Sequence, residues 1–194
     1  MTDADSLKAD LRRELRARRA QLKAEHPDAA LQAALAFEAA GLGAFATAAI
    51  YHPQGSEMDP FPLAVVLRRW GCRIALPAVV ARDAPLVFRL ESEEGGARPD
   101  ALGIPAPPPE APAVRPDLVI APLLGFDAKG GRLGQGGGFY DRTIAALRAE
   151  GPVMVVGLAY AGQELPAAPM GPFDQRLDGV LTEKGFRPAE TETR

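Results

Sequence analysis

The residue types that can do chemistry concentrate between Lys129 and Arg142, which reads Lys-Gly-Gly-Arg-Leu-Gly-Gln-Gly-Gly-Gly-Phe-Tyr-Asp-Arg. A glycine-rich turn that opens into a helix exposes backbone N–H groups and the positive end of the helix dipole, and both suit an anion such as phosphate. Arg132 can pair with phosphate oxygens. Asp141, in the first helical turn, can hold a Mg²⁺ ion that bridges them, because Mg²⁺ prefers carboxylate and phosphate oxygens. The two common nucleotide fingerprints are absent: no Gly-Lys-Ser/Thr occurs, and starting G-x-G-x-x-G at Gly134 puts Phe139 where the last glycine must stand. The residue types therefore suit MgATP or another phosphorylated ligand. A tight turn with Asp141 as helix cap accounts for the same residues without any ligand.

Composition narrows the remaining chemistry. With 47% hydrophobic and 24% charged residues and a net charge of −3, the chain has the make-up of a globular domain and no electrostatic attraction to nucleic acid or an anionic membrane. Cys72 is the single cysteine, which excludes an intrachain disulfide and a Cys-based zinc site. His26 and His52 are the two histidines, too few for a multi-His metal centre. Catalysis must therefore rest on carboxylates, cations and backbone. The charged helical pattern at the start is unlike a signal peptide, so a cytoplasmic location is expected. No apolar run approaches the roughly 20 residues that span a bilayer.

Several elements must position these groups. Leu7, Leu11, Leu15 and Leu22 fall at helical spacing, predicting a first helix over about Asp5 to Ala24, with Thr2, Asp3, Asp5 or Ser6 as its cap. Lys8 and Arg12 are four apart and share a face, which Arg16 and Arg19 continue; such a row is either a solvated surface or a reach toward polyphosphate. A second helix is expected over Pro27 to Ala40, ended by Gly41. Ala46 to Tyr51 reads as a buried strand, followed by a loop, His52 to Asp59, that carries Glu57. Asp59-Pro60 caps a helix whose apolar face is Leu63, Val66, Leu67 and Trp70. Arg73 to Leu76 then completes a βαβ unit, and Leu86 to Leu90 is another strand. The segment from 93 to 116 is dense in proline, glycine and charge and reads as an extended surface excursion. Asp117 to Pro122 and Val153 to Leu158 flank the glycine stretch and its helix as strands, and Gly179 to Thr182 ends the series. Alternating strands and helices imply a single α/β domain over residues 1–194 with a mostly parallel sheet. The glycine loop then lies at the carboxyl edge, where open α/β sheets bind ligands.

Arg132-Leu133-Gly134 with Gly136-Gly137-Gly138-Phe139-Tyr140-Asp141-Arg142 resembles the signature of the 5-formyltetrahydrofolate cyclo-ligase family. Lys8 and Arg12, Glu57-Met58-Asp59, Leu76-Pro77, Gly103-Ile104-Pro105, Gly157-Leu158-Ala159 with Gln163, and Asp174 through Leu177-Asp178 to Glu183 follow in the family's order, so the resemblance covers nearly the whole chain. It implies a Rossmann-like three-layer fold with helices on both faces of an open sheet. It also implies ATP- and Mg²⁺-dependent closure of 5-formyltetrahydrofolate to 5,10-methenyltetrahydrofolate; a monomer is expected. On this resemblance Lys8, Arg132 and Asp141 act in catalysis. ATP is held by Lys8, Arg12, Arg132, Leu133, Gly134, Gln135, Gly136, Gly137, Gly138, Phe139 and Tyr140. Folate meets His52, Glu57 and Gln135 through Phe139, and Mg²⁺ is bound by Asp141 and Asp174. The chain departs from the family pattern at Phe173, where a polar residue is usual, at Phe139, where Tyr is common, and at Gln135, where some members are basic. Two other readings stay open on the sequence: a folate- or nucleotide-binding protein without turnover, and an isomerase or transferase whose loop binds a substrate phosphate.

Overall fold

The structure, a computed structural model, describes residues 3–91 and 96–190, with side chains from residue 8 onward. Its elements in chain order are α1 (Asp3–Glu25), α2 (Ala29–Ala40), β1 (Thr47–Ala49), α3 (Phe61–Arg69), β2 (Arg73–Ala78), β3 (Val87–Leu90), β4 (Arg98–Pro99), β5 (Pro105–Ala106), β6 (Leu118–Pro122), β7 (Gly125–Phe126), β8 (Arg132–Leu133), α4 (Phe139–Glu150), β9 (Met154–Leu158), β10 (Gly179–Thr182) and β11 (Gly185–Pro188). Thr2 lies outside the described residues, as do the side chains of the other cap candidates and of Leu7.

The main sheet has seven strands in the order β11-β10-β9-β6-β1-β2-β3. The five central strands are parallel, with Ala48 opposite both Ile74 and Leu118, and Ile120 opposite Val156. The edge strands β3 and β11 run antiparallel to their neighbours. Side chains alternate along β6: Leu118 and Ile120 pack with Phe37, Leu63 and Leu67 of α2 and α3, whereas Val119 and Ala121 pack with Ile144 and Leu147 of α4. Helices therefore cover both faces, which is why β6 and β9 read as continuous apolar runs. From β1 the chain builds outward through β2 and β3. It then returns to β6 on the other side of β1 and builds through β9 and β10. The carboxyl ends of β1 and β6 diverge at this reversal and leave a crevice.

Several boundaries differ from the sequence expectation. β2 continues through Pro77 to Ala78; Pro77 is tolerated because β1 pairs with β2 only as far as Ala75, so at Pro77 the strand has β3 alone beside it and behaves as an edge. α3 begins at Phe61, after Pro60, and the Asp59 carboxylate accepts the Phe61 N–H at 2.9 Å. Trp70 stands at the end of α3, half-buried, and stacks on Phe37 at 5.9 Å. The described part of the 93–116 excursion is more than an extended strap, because β4 and β5 pair as a small antiparallel ribbon. β11, the β7–β8 hairpin and the 3₁₀ turn Ala161–Gln163 carry too few apolar positions to announce themselves.

The β7–β8 hairpin leads directly into the glycine loop, and one carboxylate organises its turn. Asp127 is buried and accepts N–H groups from Lys129 (2.9 Å), Gly131 (2.8 Å) and Ala168 (2.8 Å). Gly131 has no room for a side chain, since a Cβ would lie 2.5 Å from Asp127 Oδ2. Replacing Asp127 with Ala leaves several buried donors unsatisfied. Urea denaturation of Asp127→Ala should show a loss of about 3 kcal/mol, and a loss below about 1 kcal/mol would contradict this role.

Candidate active site

The crevice at the carboxyl ends of β1, β2 and β6 holds a cavity of about 470 Å³, within the range of small-molecule sites. Tyr51 and His52 follow β1 into it, Pro77 and Val79 come from the end of β2, and Pro122 closes β6. Every residue assigned from the sequence to ATP, folate or Mg²⁺ lines it: Lys8, Arg12, His52, Glu57, the run from Arg132 through Asp141, and Asp174. The glycine loop takes its shape from two left-handed residues, Gly136 (φ +102) and Gly138 (φ +66), which a side chain would strain. Gly138 precedes α4, and no side chain caps that start. The N–H groups of the first turn are therefore available, at the positive end of the helix dipole.

Four cations along one row of α1 each make a different contact at or beside the site. Lys8 Nζ lies 3.4 Å from Asp174 Oδ2, Arg12 Nε donates to Gly134 O at 3.0 Å, and Arg16 Nε donates to Gln135 Oε1 at 2.9 Å. Arg19 is buried and donates to Ser56 Oγ, Leu123 O and Glu57 Oε1. The row is thus only partly a solvated face: helical spacing sends Lys8 and Arg12 to the cavity and Arg19 inward, while Arg16 stays exposed and reaches the loop. Arg132 is buried among the strands. Desolvation pulls its guanidinium below the usual value, and Asp141 opposes that shift with a bond from Nη2 to Oδ1 at 2.8 Å. The same Asp141 oxygen accepts the Gln175 N–H at 2.9 Å, and Arg132 also donates to Gln175 O. The segment around Asp174 and Gln175 is in this way strapped across the loop. Asp178 takes no part: it accepts Val155 N–H at 2.7 Å and pairs with Arg148.

Two buried polar atoms of the cavity wall have no hydrogen-bond partner among the described residues, Tyr140 Oη and His52 Nδ1. Burial, with the nearby Glu57 charge second, drives the Tyr140 phenol far above its ordinary value, so it stays protonated and is a donor. Phe139 lies under the Arg142 guanidinium, 5.1 Å from its ring centre. Sequence reading missed the apolar wall formed by Val79, Leu86, Leu102 and Ile104. Leu102 and Ile104 come from the excursion, where the Asp100 carboxylate accepts the N–H groups of Val79, Leu102 and Ile104. The Gly103-Ile104 pair was the available signal. Cys72 is buried and its thiol is pushed up by desolvation, which leaves it a packing residue.

A family model for the 5-formyltetrahydrofolate cyclo-ligase family matches residues 4–183. The chain belongs to the 5-formyltetrahydrofolate cyclo-ligase family. It is an enzyme of the ligase class. A 5-formyltetrahydrofolate cyclo-ligase of Mycolicibacterium smegmatis is 35% identical over 147 residues, which cover 71% of this chain and 74% of that one. Its Escherichia coli K12 counterpart is 33% identical over 141 residues, covering 70% and 77%. Among solved structures, the Aquifex aeolicus 5,10-methenyltetrahydrofolate synthetase superposes with a TM-score of 0.76 at 26% identity, over 97% of this chain and 95% of that one. The synthetase of Mycoplasma pneumoniae shares the fold, with a TM-score of 0.70 at 22% identity. Among the described residues, no helix of this cyclo-ligase family member is long and apolar enough to cross a membrane.

The tyrosines give a pH prediction. All three, Tyr51, Tyr140 and Tyr160, are raised above their ordinary value, first by burial. At about pH 10 the native protein should show little tyrosinate absorbance, whereas about half of the tyrosines of the urea-unfolded chain are ionised. The native state holds these protons longer than the unfolded chain. Their contribution to stability is therefore intact below about pH 10 and falls as pH rises through the folded values. Equal native and unfolded titrations would contradict the burial of the phenols.

Proposed function

We propose that the chain closes 5-formyltetrahydrofolate to 5,10-methenyltetrahydrofolate with conversion of ATP to ADP and phosphate, and that this cavity is where it happens. The observation that carries the reading is the convergence of Lys8, Arg12, Arg132, Asp141, Asp174 and the glycine loop on one cavity at the strand-order reversal. The formyl oxygen is a poor leaving group. Transfer of the terminal phosphoryl group of ATP to that oxygen gives an imidate phosphate, N10 attacks its carbon and closes the ring, and phosphate departs with the formyl oxygen as the N10 proton is lost and the methenyl C=N bond forms. Positioning and charge neutralisation suffice for such a transfer, so a site without a histidine base is adequate.

The roles divide by charge. Lys8 and Arg12 are assigned to the ATP phosphates, together with Arg132 and the amides from Leu133 through Tyr140. The loop from Gln135 through Phe139, with His52 and Glu57, is assigned to the folate. The apolar residues Val79, Leu86, Leu102 and Ile104 offer surface to a flat ring system.

Asp141 and Asp174 are assigned to Mg²⁺. Among the described residues no three acidic, His or Cys side chains cluster as a metal cage. Each of the two aspartates uses one oxygen in its protein contacts, Asp141 Oδ1 and Asp174 Oδ2, and no described contact takes the other. That donor set fits Mg²⁺, which commonly takes one or two carboxylates and completes its shell with phosphate and water. When bound, the ion would neutralise charge on the transferring phosphoryl group.

Purified protein with 5-formyltetrahydrofolate and MgATP should produce the near-ultraviolet absorbance of the methenyl product; no product under these conditions would refute the proposal. Lys8→Ala should raise the KM for ATP about tenfold, and a change in thermal stability alone would return Lys8 to a surface role. Asp141→Asn should lower turnover most at limiting Mg²⁺ while circular dichroism is unchanged, because an amide oxygen still accepts the Gln175 N–H. Equal activity of the two proteins at limiting Mg²⁺ would remove Asp141 from the metal.

A further inference from the structure

We infer that Arg19 is a positioning residue for the folate: from behind the cavity wall it fixes the carboxylate of Glu57. The inference rests on the assignment of Glu57 to folate made above. Arg19 does not line the cavity, whereas Glu57 does. Both side chains are almost fully buried, 4% and 6% exposed, with Arg19 Nη1 3.4 Å from Glu57 Oε1.

Three elements meet at this guanidinium. It projects from α1, holds Ser56 Oγ at 3.1 Å in the loop before Glu57, and holds Leu123 O at 3.0 Å just after β6. The loop is pinned at two further points. Glu57 Oε2 accepts the Gln54 N–H at 2.9 Å, and Tyr51 Oη donates to Met58 O at 2.5 Å. Two contacts leave a carboxylate with unused lone pairs for a ligand in the cavity.

A buried ion pair adds little stability over apolar residues of the same volume, so stability is a weak reason for this one. Its geometry does something an apolar pair cannot. The fork of Arg19 sets the distance between α1, the loop and the β6 end, and so sets where the Glu57 carboxylate stands. Without the guanidinium, an unpaired buried carboxylate turns toward water and carries the loop with it. An apolar replacement of Arg19 would therefore act on folate binding at a distance, through Glu57.

A double-mutant cycle tests this. Arg19→Met should raise the KM for 5-formyltetrahydrofolate about tenfold and leave the KM for ATP within about twofold. Arg19→Lys keeps the charge without the fork and should fall between wild type and Arg19→Met; it also serves if Arg19→Met fails to fold. In a Glu57→Gln background, Arg19→Met should add no further loss in folate KM. The inference is overturned if Arg19→Met and Arg19→Lys lower only thermal stability, if both substrates' KM values rise together, or if the losses of Arg19→Met and Glu57→Gln multiply. A folate KM moved by Glu57→Gln but not by Arg19→Met or Arg19→Lys overturns this inference alone. A folate KM unmoved by Glu57→Gln overturns it together with the assignment of Glu57.

Discussion

A guanidinium can be buried only if its N–H groups find acceptors and its charge finds a partner, and this constraint shapes the whole site. Arg19 and Arg132 are both buried. Arg132 is satisfied by Asp141 and Gln175, which draws the segment around Asp174 over the glycine loop. Arg19 is satisfied by Ser56, Glu57 and Leu123, which draws the loop after β1 against α1 and the end of β6. The two half-exposed cations, Lys8 and Arg12, then stand between these anchors and face the cavity. Helix α1 is in this sense a ruler. Its 3.6-residue period spaces the row from Lys8 to Arg19 so that successive cations reach successive loops.

The same pairing explains how a site rich in charge stays folded without ligand. Lys8 and Arg132 would repel each other if left alone, and so would Asp141 and Asp174. Each cation instead neutralises one carboxylate. The proposed ligands offer replacement partners of the same sign: phosphates for the cations and a divalent ion for the carboxylates. Exchange of partners needs little movement of backbone, since the glycine loop and the first turn of α4 already present their N–H groups. Arg12 is poised differently, because it holds only a backbone carbonyl and no described carboxylate pairs with it.

Much of this was legible in the sequence because it rests on local signals. Glycines that must turn, an apolar run before them and a helical pattern after them located the loop, and the alternation of strands and helices gave the parallel sheet. All the expected site residues reach one cavity because the strand order reverses between β1 and β6. What was not legible depends on long-range packing. Arg16 and Arg19 look alike in a row of exposed cations, and only the fold shows that one reaches Gln135 while the other is buried against Glu57. Leu102 and Ile104 sit in a proline-rich segment without periodicity, so their place in the wall is set by the Asp100 turn rather than by a strand or helix pattern. Tyr140 lines the cavity, packs against the core cluster of α4 and leaves its hydroxyl without a partner among the described residues.

The central claim is that the cations and carboxylates now paired with one another are the groups that receive nucleotide and metal. The most direct test is a crystal structure of the protein with MgADP and 5-formyltetrahydrofolate. The account predicts Lys8 released from Asp174 onto a phosphate and the remaining phosphates on Arg12 and the amides after Gly134. It places the metal at Asp141 and Asp174, and the folate beside Glu57. Nucleotide bound outside this cavity, or within it with the Lys8–Asp174 pair intact and no phosphate on the glycine loop, would contradict it.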